Sequence, residues 1–173
     1  GLYEGWNICC KRADTDLVGN WNVDDRKSPW SLEALIQPFL LDKNLDISYG
    51  PTFVSEKANE NWEEVQKNVI FPCNETNRWE DLIINNNPHC MPIWKKSIHD
   101  RFGYFDSSYK TAADSDMWIR AVKQGAKIKM VRDVVGIYYQ NPNGRSTDPE
   151  TLKEMLEEVH GMRKKHYPNY QST

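Results

Sequence analysis

Apolar segments of strand length alternate with helical segments along most of this chain. Residues 1–13 place apolar side chains on one helical face, and residues 17–23 follow as a short apolar run with polar borders. A helical stretch, a strand candidate at 46–55, further helices and two short strands within 127–140 come after them. This order predicts an α/β fold, formed as one domain across the 173 residues.

The middle of the chain is less regular than its ends. Residues 56–88 are polar and rich in asparagine, and we expect a long excursion with one or two short helices there. Helices are predicted at 93–101 and at 112–124, the second closed by a glycine. Thr147 and Glu150 have the spacing of a capping box, which predicts the start of a final helix.

Composition and charge exclude several kinds of partner. The net charge is −3 and the basic residues form no stripe, so a nucleic-acid partner is not expected. No apolar run approaches the ~20 residues that cross a bilayer, so no transmembrane segment is expected. The four cysteines lack C-x-x-C spacing, which argues against a zinc site or a disulfide framework. These features predict a cytoplasmic protein, with any membrane contact peripheral and made through a longer chain.

Two adjacent carboxylates, Asp24 and Asp25, follow the first predicted strand and precede a helix. Ligands of open α/β sheets bind beyond the carboxyl ends of strands. Hard carboxylate oxygens suit Mg²⁺ or Mn²⁺, which bind through one or two carboxylates together with substrate phosphates. Taken alone, an acidic pair at such a place is more often an exposed turn that caps the next helix than a metal site.

A second acidic motif, Asp114 and Asp116, lies at the start of the helix predicted at 112–124. The helix dipole alone lowers the pKa of a carboxyl at this place, so a general base here requires partial burial to raise the pKa again. Simple capping of the helix is the alternative. His89 lies between two prolines and is expected to face a cleft, whereas His160 and His166 are expected on the surface.

The two acidic motifs, in this order, resemble those of glycosyltransferase family 2, whose members have a GT-A fold. The resemblance runs through most of the chain. The segments GLYEGWNICCKRA and LVGNWNVDDRKSPWSLE resemble the helix, strand and D-x-D region of the family. The segment MPIWKKSIHDRFGYFDSSYKTAADSDMWIRAVKQGAKI resembles its acceptor half, with a Gly-x-Phe-Asp turn before an acidic motif that leads to a tryptophan.

This resemblance implies an inverting transfer of a sugar from a nucleotide-diphosphate donor to an acceptor hydroxyl. Asp24 or Asp25 would ligate the divalent cation, Mn²⁺ or Mg²⁺, that bridges the donor diphosphate. Asp114 would be the general base. The acceptor would be a glycan, a lipid-linked molecule or a protein. The remaining residues predicted to bind substrate are Asn22, Arg26, His89 and Asp116.

The chain departs from the family at three places. Asn22 stands where many D-x-D motifs have their first aspartate. Ala113 replaces the usual glutamate before the base, so any role of that glutamate in acceptor binding is either absent or moved to Asp116. The strand-helix-strand-helix unit that begins family members, and carries the base pocket, is not found. We therefore expect an N-terminally truncated GT-A-like domain, holding the metal-site and acceptor-side part, with the other half in a longer chain or a partner.

Two other classes of function compete with this interpretation. One is a non-catalytic carbohydrate-recognition or scaffold domain that derives from a glycosyltransferase. The other is a metal-dependent phosphohydrolase that uses the same carboxylates. In the transferase interpretation, residues 141–147 resemble the loop after the last strand and are expected to fold over the donor.

Overall fold

A computed structural model describes residues 1–144 and 147–171. The helices are α1 (Leu2–Arg12), α2 (Ser31–Leu41), α3 (Trp79–Ile84), α4 (Ile98–Phe102), α5 (Ala113–Lys123) and α6 (Pro149–His166). The strands are β1 (Leu17–Gly19), β2 (Arg26–Lys27), β3 (Ile47–Tyr49), β4 (Thr52–Ser55), β5 (Ile93–Lys95), β6 (Ile128–Met130) and β7 (Gly136–Tyr139). The loop predicted to cover the donor includes residues 145 and 146, which lie outside the described residues.

The strands form two small mixed sheets. The larger has the order β1-β5-β3-β6, in which β5 runs antiparallel to both of its neighbours and β6 runs parallel to β3. The smaller has the order β2-β7-β4, with β2 antiparallel and β4 parallel to β7. The predicted α/β class, with mixed sheets flanked by helices, is confirmed.

The strand predicted at 46–55 is split into β3 and β4, which belong to different sheets. Gly50 and Pro51 make the corner. A Cβ atom at Gly50 would meet side-chain carbons of Val131 and Val135 at 2.7 and 2.8 Å, closer than real Cβ atoms approach. The chain can therefore change sheets here only because the position carries no side chain.

The prediction that residues 17–23 form one buried strand is wrong in its second half. β1 pairs with β5 only as far as Gly19, opposite Ile93. The next partner would be Pro92, which has no N–H to donate to an antiparallel ladder. The chain then leaves the sheet, and Val23 is 97% exposed. The acidic pair consequently lies in a turn that leads into β2, and not at the end of β1.

The helix predicted at 93–101 is also wrong at its start. Residues 93–95 form β5, which pairs on both sides, and the helix is limited to α4. Three residues carry too little periodicity to separate a strand from a helical turn, so tertiary pairing decides the conformation. Trp94 of β5 lies in the core, with its ring centroid 5.2 Å from that of Trp118 on α5.

The final helix begins with a different cap from the one predicted. Asp148 is the capping residue, and its carboxylate accepts from the amide of Glu150 at 2.9 Å. Thr147 instead uses its hydroxyl on the carbonyls of Asn141 and Gly144. The predicted start of the helix is thus displaced by one residue, which is the usual error at helix ends.

β1 lies at the outer edge of the larger sheet, with apolar side chains beside it. A cleft of about 270 Å³ lies between β1 and the α2 residues Leu32 and Ile36, and a cleft of about 780 Å³ borders Leu17 and Leu40. Leu32 and Leu40 are 56% and 65% exposed. An unpaired strand edge flanked by apolar side chains is a surface on which a further strand can pair.

None of the helices in the described part of the chain combines the length and the apolarity that membrane crossing requires. All four cysteines are free thiols, with Cys10 and Cys90 buried.

Candidate functional site

The acidic turn that follows β1 is built around Asp25. Asp25 is 2% exposed, and its carboxylate accepts from the amide of Tyr139 at 3.1 Å and from the side-chain amide of Asn22 at 3.0 Å. Burial raises the pKa of Asp25 to about 6, against the lowering effect of these two donors. Asp25 therefore fastens the turn to β7, and both of its oxygens already have partners.

The neighbours of Asp25 take different roles. Asp24 is exposed at the tip of the turn. The guanidinium of Arg26 donates to the carbonyl of Asp25 at 2.8 Å and to the side chain of Asn59 at 2.6 Å. Arg26 and Asn22, both predicted to bind substrate, thus hold the turn in this structure. The contacts leave Asp24 as the carboxylate of the pair that faces outward.

The described residues contain no group of three or more His, Cys, Asp or Glu side chains arranged to hold a metal ion. A cation that binds a nucleoside diphosphate needs only one or two protein carboxylates, because phosphate oxygens and water complete its coordination. Asp24 has the oxygen chemistry and the exposure for that role, whereas the oxygens of Asp25 accept two N–H donors. The chemistry of the turn therefore fits one protein ligand, Asp24, better than two.

Asp114 lies in the first turn of α5, between α1 and the segment that precedes β5. Its Oδ2 accepts from the side-chain amide of Asn86 at 2.8 Å, and its Oδ1 lies 3.3 Å from the hydroxyl of Tyr3. Burial raises the pKa of Asp114, although Asn86, the Ser115 amide and Tyr3 all lower it. The partial burial that a general base requires at this helix terminus is thus present.

The chain just before α5 is held from two sides. Glu158 of α6 accepts from the amides of Lys110, Thr111 and Ala112, at 2.7, 2.7 and 2.8 Å. Tyr3 of α1 donates its hydroxyl to the carbonyl of Thr111 at 2.7 Å. Burial raises the pKa of Glu158, but the hydrogen bonds outweigh it and lower the pKa overall. These contacts fix the start of α5, and with it the backbone of Asp114.

Asp116 is fully buried and faces the other way. Its Oδ1 contacts Lys165 Nζ and His166 Nε2, both at 2.9 Å, and its Oδ2 contacts the Arg120 guanidinium at 3.2 Å. Burial alone would raise the pKa of Asp116, but the hydrogen bonds from His166 and Lys165 outweigh it and hold the pKa well below its usual range. Asp116, predicted to bind substrate, ties α5 to the end of α6.

The prediction that His166 lies on the surface is wrong, because this side chain is 9% exposed and reaches Asp116. Periodicity places His166 beyond the apolar stripe of α6, and the pattern of that helix carries no signal of a buried carboxylate on another helix. The hydrogen bond between His166 and Asp116 joins residues 50 positions apart. Such a pair becomes visible only when the two helices pack.

His89 lies between the two acidic motifs. Its ring stacks on Phe71 with centroids 3.8 Å apart and meets the edge of Tyr138 at 4.7 Å. Burial lowers the pKa of His89 to about 4, so the imidazole is neutral at physiological pH. Its backbone has φ of 43°, a conformation that is uncommon outside glycine and asparagine and recurs at functional sites.

One short segment connects the acidic turn with Asp114. Its first residue, Asn86, bonds to Asp114, and its last, His89, packs on Tyr138, whose neighbour Tyr139 bonds to Asp25. The amide of His89 donates to the carbonyl of Asn86 at 3.1 Å, which closes the segment into a turn. Asp114 is therefore bonded to one end of this turn, whereas Asp25 is linked to its other end only indirectly, through Tyr139 and Tyr138. The two clefts beside β1 are lined by other residues, and a third cleft of about 190 Å³, between Thr111 and α6, is lined by Glu158 but not by Asp114 or His89.

Sequence reasoning did not find three residues of this site. Tyr3, Asn86 and Glu158 position the start of α5, and each is at least 28 positions away in sequence from the residue that it contacts there. Asn86 belongs to an asparagine-rich stretch that looks like an ordinary loop. The one available signal was the length of the excursion at 56–88, since long irregular segments within a compact domain are often functional.

Similarity to solved structures supports a glycosyltransferase-like fold for this chain. Among solved structures, the chain is similar to the crystal structure of S. aureus TarS 1-349, with a TM-score of 0.62 and 16% identity. The crystal structure of TarS 1-349 in complex with UDP gives a TM-score of 0.63 at 15% identity. A longer crystal structure of S. aureus TarS gives a TM-score of 0.63 at 16% identity. At this identity the likeness concerns the fold. No protein-family model matches the chain, and no curated protein matches it.

The similarity extends over the whole of this chain but only part of each structure. It covers 100% of this chain and 47% of TarS 1-349, and 28% of the longer TarS structure. The chain thus spans about half the length of the shorter structures that it matches.

Proposed function

We propose that this chain contributes the metal-site and acceptor-side half of a GT-A-like, inverting glycosyltransferase of family 2. The observation that carries the proposal is Asp114, a partly buried carboxylate whose pKa is raised by burial and whose hydrogen-bond partners among the described residues are neutral donors. A general base needs a pKa that is raised from the ordinary carboxyl value towards the operating pH. The glycosyltransferase-like fold and the UDP complex of TarS support a nucleotide-sugar donor.

In the proposed reaction, Asp114 accepts the proton of an acceptor hydroxyl while the oxygen attacks the anomeric carbon of the donor. The bond from that carbon to the nucleoside diphosphate breaks, and its electron pair leaves with the diphosphate on the opposite face of the sugar. Asp24 would hold the divalent cation, Mn²⁺ or Mg²⁺, which supplies positive charge to the leaving diphosphate when bound. Asp25, Asn22 and Arg26 keep the turn that presents Asp24.

The acceptor is expected on the side of His89 and Asn86, because this segment adjoins Asp114. The imidazole of His89, neutral and stacked on Phe71, suits the binding of an uncharged sugar hydroxyl better than the binding of a charged group. The acceptor class, whether a glycan, a lipid-linked molecule or a protein, stays a prediction.

A second structural unit is part of this proposal. The free edge of β1 and the exposed Leu32 and Leu40 form a surface on which a further strand, in the same longer chain or in a partner, would pair. The half-length match to TarS 1-349 supports such a unit. It would carry the pocket for the nucleotide base.

A panel of UDP-sugars with Mn²⁺ tests the proposed function, with release of UDP as the measurement and the full-length protein as the enzyme. We expect release with at least one donor, rising when an acceptor is added. The absence of UDP release and of UDP binding across the panel would favour the non-catalytic carbohydrate-recognition or scaffold alternative. Phosphate release from simple esters without UDP release would indicate the phosphohydrolase instead.

The metal assignment has its own test in the pair Asp24→Ala and Asp25→Ala. Asp24→Ala should remove Mn²⁺-dependent binding of UDP with the stability unchanged, because the side chain is exposed. Asp25→Ala should instead lower the free energy of unfolding by about 1–3 kcal/mol, since it leaves the Tyr139 amide without its acceptor. Calorimetry with UDP and Mn²⁺, beside urea unfolding, separates the two. Unchanged calorimetric affinity in Asp24→Ala would contradict the assignment.

A further inference from the structure

The side-chain amide of Asn86 donates a hydrogen bond to Asp114, while its oxygen is left without a partner among the described residues. Its Nδ2 donates to Asp114 Oδ2 at 2.8 Å. Its Oδ1 is enclosed and has no hydrogen-bond partner within the described residues. A buried amide oxygen without a partner costs free energy, so another interaction must favour this orientation of the side chain. The hydrogen bond from Nδ2 to Asp114 is that interaction, because an ionised carboxylate only accepts hydrogen bonds and therefore selects the NH₂ end of the amide.

The two oxygens of Asp114 are not treated alike. Oδ2 has the Asn86 amide as a full donor. Oδ1 faces the hydroxyl of Tyr3 at 3.3 Å, but that hydroxyl has a single proton and lies closer, at 2.7 Å, to the carbonyl of Thr111. Of the two side chains that reach this carboxylate from other elements, Tyr3 thus makes the weaker hydrogen bond, and it makes it to Oδ1; the Ser115 amide within α5 also donates to the carboxylate.

We propose that Asn86 is a positioning residue for the proposed transfer: it fixes Oδ2 of Asp114, so that Oδ1 is left to take the proton of the acceptor hydroxyl. This inference rests on the proposed function and names how its base is oriented. In the step itself, the acceptor O–H bond breaks and its proton moves to Oδ1. The oxygen lone pair forms the bond to the anomeric carbon, and the electrons of the old bond leave with the nucleoside diphosphate.

The groups that face Asp114 from each neighbouring element make the effect of Asn86 measurable. Tyr3 from α1, the Ser115 amide of α5 and Asn86 are neutral donors that favour the ionised carboxylate, while burial opposes it. Glu158 of α6 is occupied by the backbone amides before α5. The cations Lys165 and Arg120 contact Asp116 instead. Loss of the Asn86 donor should therefore move the pKa of Asp114 upward without a compensating charge.

The first experiment follows the Asp114 carboxyl by carbon NMR during a pH titration of this 173-residue chain. In Asn86→Ala the titration midpoint should rise by about 1 pH unit or more, since a hydrogen bond to a charged group contributes about 1.5–3 kcal/mol. Asn86→Asp keeps the shape of the side chain and places a second acceptor against Oδ2, so its midpoint should rise further. The control Asn85→Ala removes an exposed neighbouring amide and should leave the midpoint where it is.

An unchanged midpoint in both Asn86 variants would overturn the proposal. Should Asn86→Ala fail to fold, Asn86→Asp carries the decision, because it is isosteric with the natural residue. The NMR measurement needs no catalytic activity, so its result stands even where the proposed function fails.

The second experiment measures transfer by the full-length protein with the UDP-sugar that supports UDP release. Asn86→Ala should lower kcat at least tenfold with the KM for donor unchanged, and the acid limb of the pH profile of kcat should move upward with the midpoint. A merely structural role would lower kcat without moving that limb, and this outcome would refute positioning. If Asp114→Asn retains full turnover, the base assignment fails instead, and the two failures are thereby told apart.

Discussion

Two carboxylates in the first turn of α5, only two residues apart, have opposite environments. Asp116 is surrounded by Lys165, Arg120 and His166, and these donors hold its pKa well below the usual range. Among the described residues, the hydrogen-bond partners of Asp114 are neutral donors, and burial raises its pKa. The helix dipole is common to both and so cannot explain the difference. The pKa values of the two carboxyls are thus pushed apart, which supports the proposed division between a structural residue, Asp116, and a proton acceptor, Asp114.

The largest effect should follow from removing the proton acceptor. Asp114→Asn in the full-length protein should lower kcat for sugar transfer by about 10²–10⁴-fold, the usual contribution of a general base. Binding of UDP, measured by calorimetry, should survive because the base does not contact the diphosphate in the proposed reaction. Near-normal turnover in this variant would erase the distinction between the two carboxylates as far as catalysis is concerned.

The counterpart substitution should act on stability. Asp116→Ala leaves His166, Lys165 and Arg120 without their common anion, and the free energy of unfolding should fall by about 3 kcal/mol. This is the low end for a broken buried ion pair, because Lys165 is half exposed and can turn to solvent. Urea unfolding of Asp116→Ala beside Asp114→Ala provides the comparison. Equal losses in the two variants would mean that the ion pairs do not set Asp116 apart.

The pH dependence of stability should separate the same two residues by sign. The folded pKa of Asp116 is lowered, so its contribution is present above the ordinary aspartate pKa of about 4 and is lost as the pH falls below it. The folded pKa of Asp114 is raised, so its contribution is present below about pH 4 and is lost as the pH rises through the folded value. We expect urea unfolding between about pH 3 and pH 7 to show a flatter acid side for Asp116→Asn and a flatter side above about pH 4 for Asp114→Asn. The reverse pattern would show that the two environments have been assigned the wrong way round.

The smallest effect is expected for a single cation of the Asp116 network. Lys165→Met should cost less than about 1 kcal/mol, because the lysine is half exposed and Asp116 keeps its contacts with His166 and Arg120. His166→Gln, at a buried position, is the matched comparison and should cost more. Thermal unfolding of both variants is sufficient to rank them. A larger loss of stability in Lys165→Met than in His166→Gln would mean that the half-exposed lysine contributes more than the buried histidine.

Much of the local structure was predicted from patterns within single segments. α1 and α5 have the periodicity of amphipathic helices, and the two short strands near 127–140 are present as β6 and β7. The predictions fail where the conformation of a segment is decided by pairing with a segment distant in sequence. β5 is a strand because β1 and β3 pair with it, and β1 stops where Pro92 interrupts the ladder.

The candidate site divides along the same line. The sequence by itself determined the residue types: a pair of carboxylates after the first strand, a second pair at the start of a helix, and a histidine between prolines. Only the tertiary structure decided what each carboxylate does. It buried Asp25 against β7, left Asp24 exposed, gave Asp116 its cations and gave Asp114 the amide of Asn86. The physical reason is that pKa and exposure depend on desolvation and on partners from other elements, which no local pattern contains.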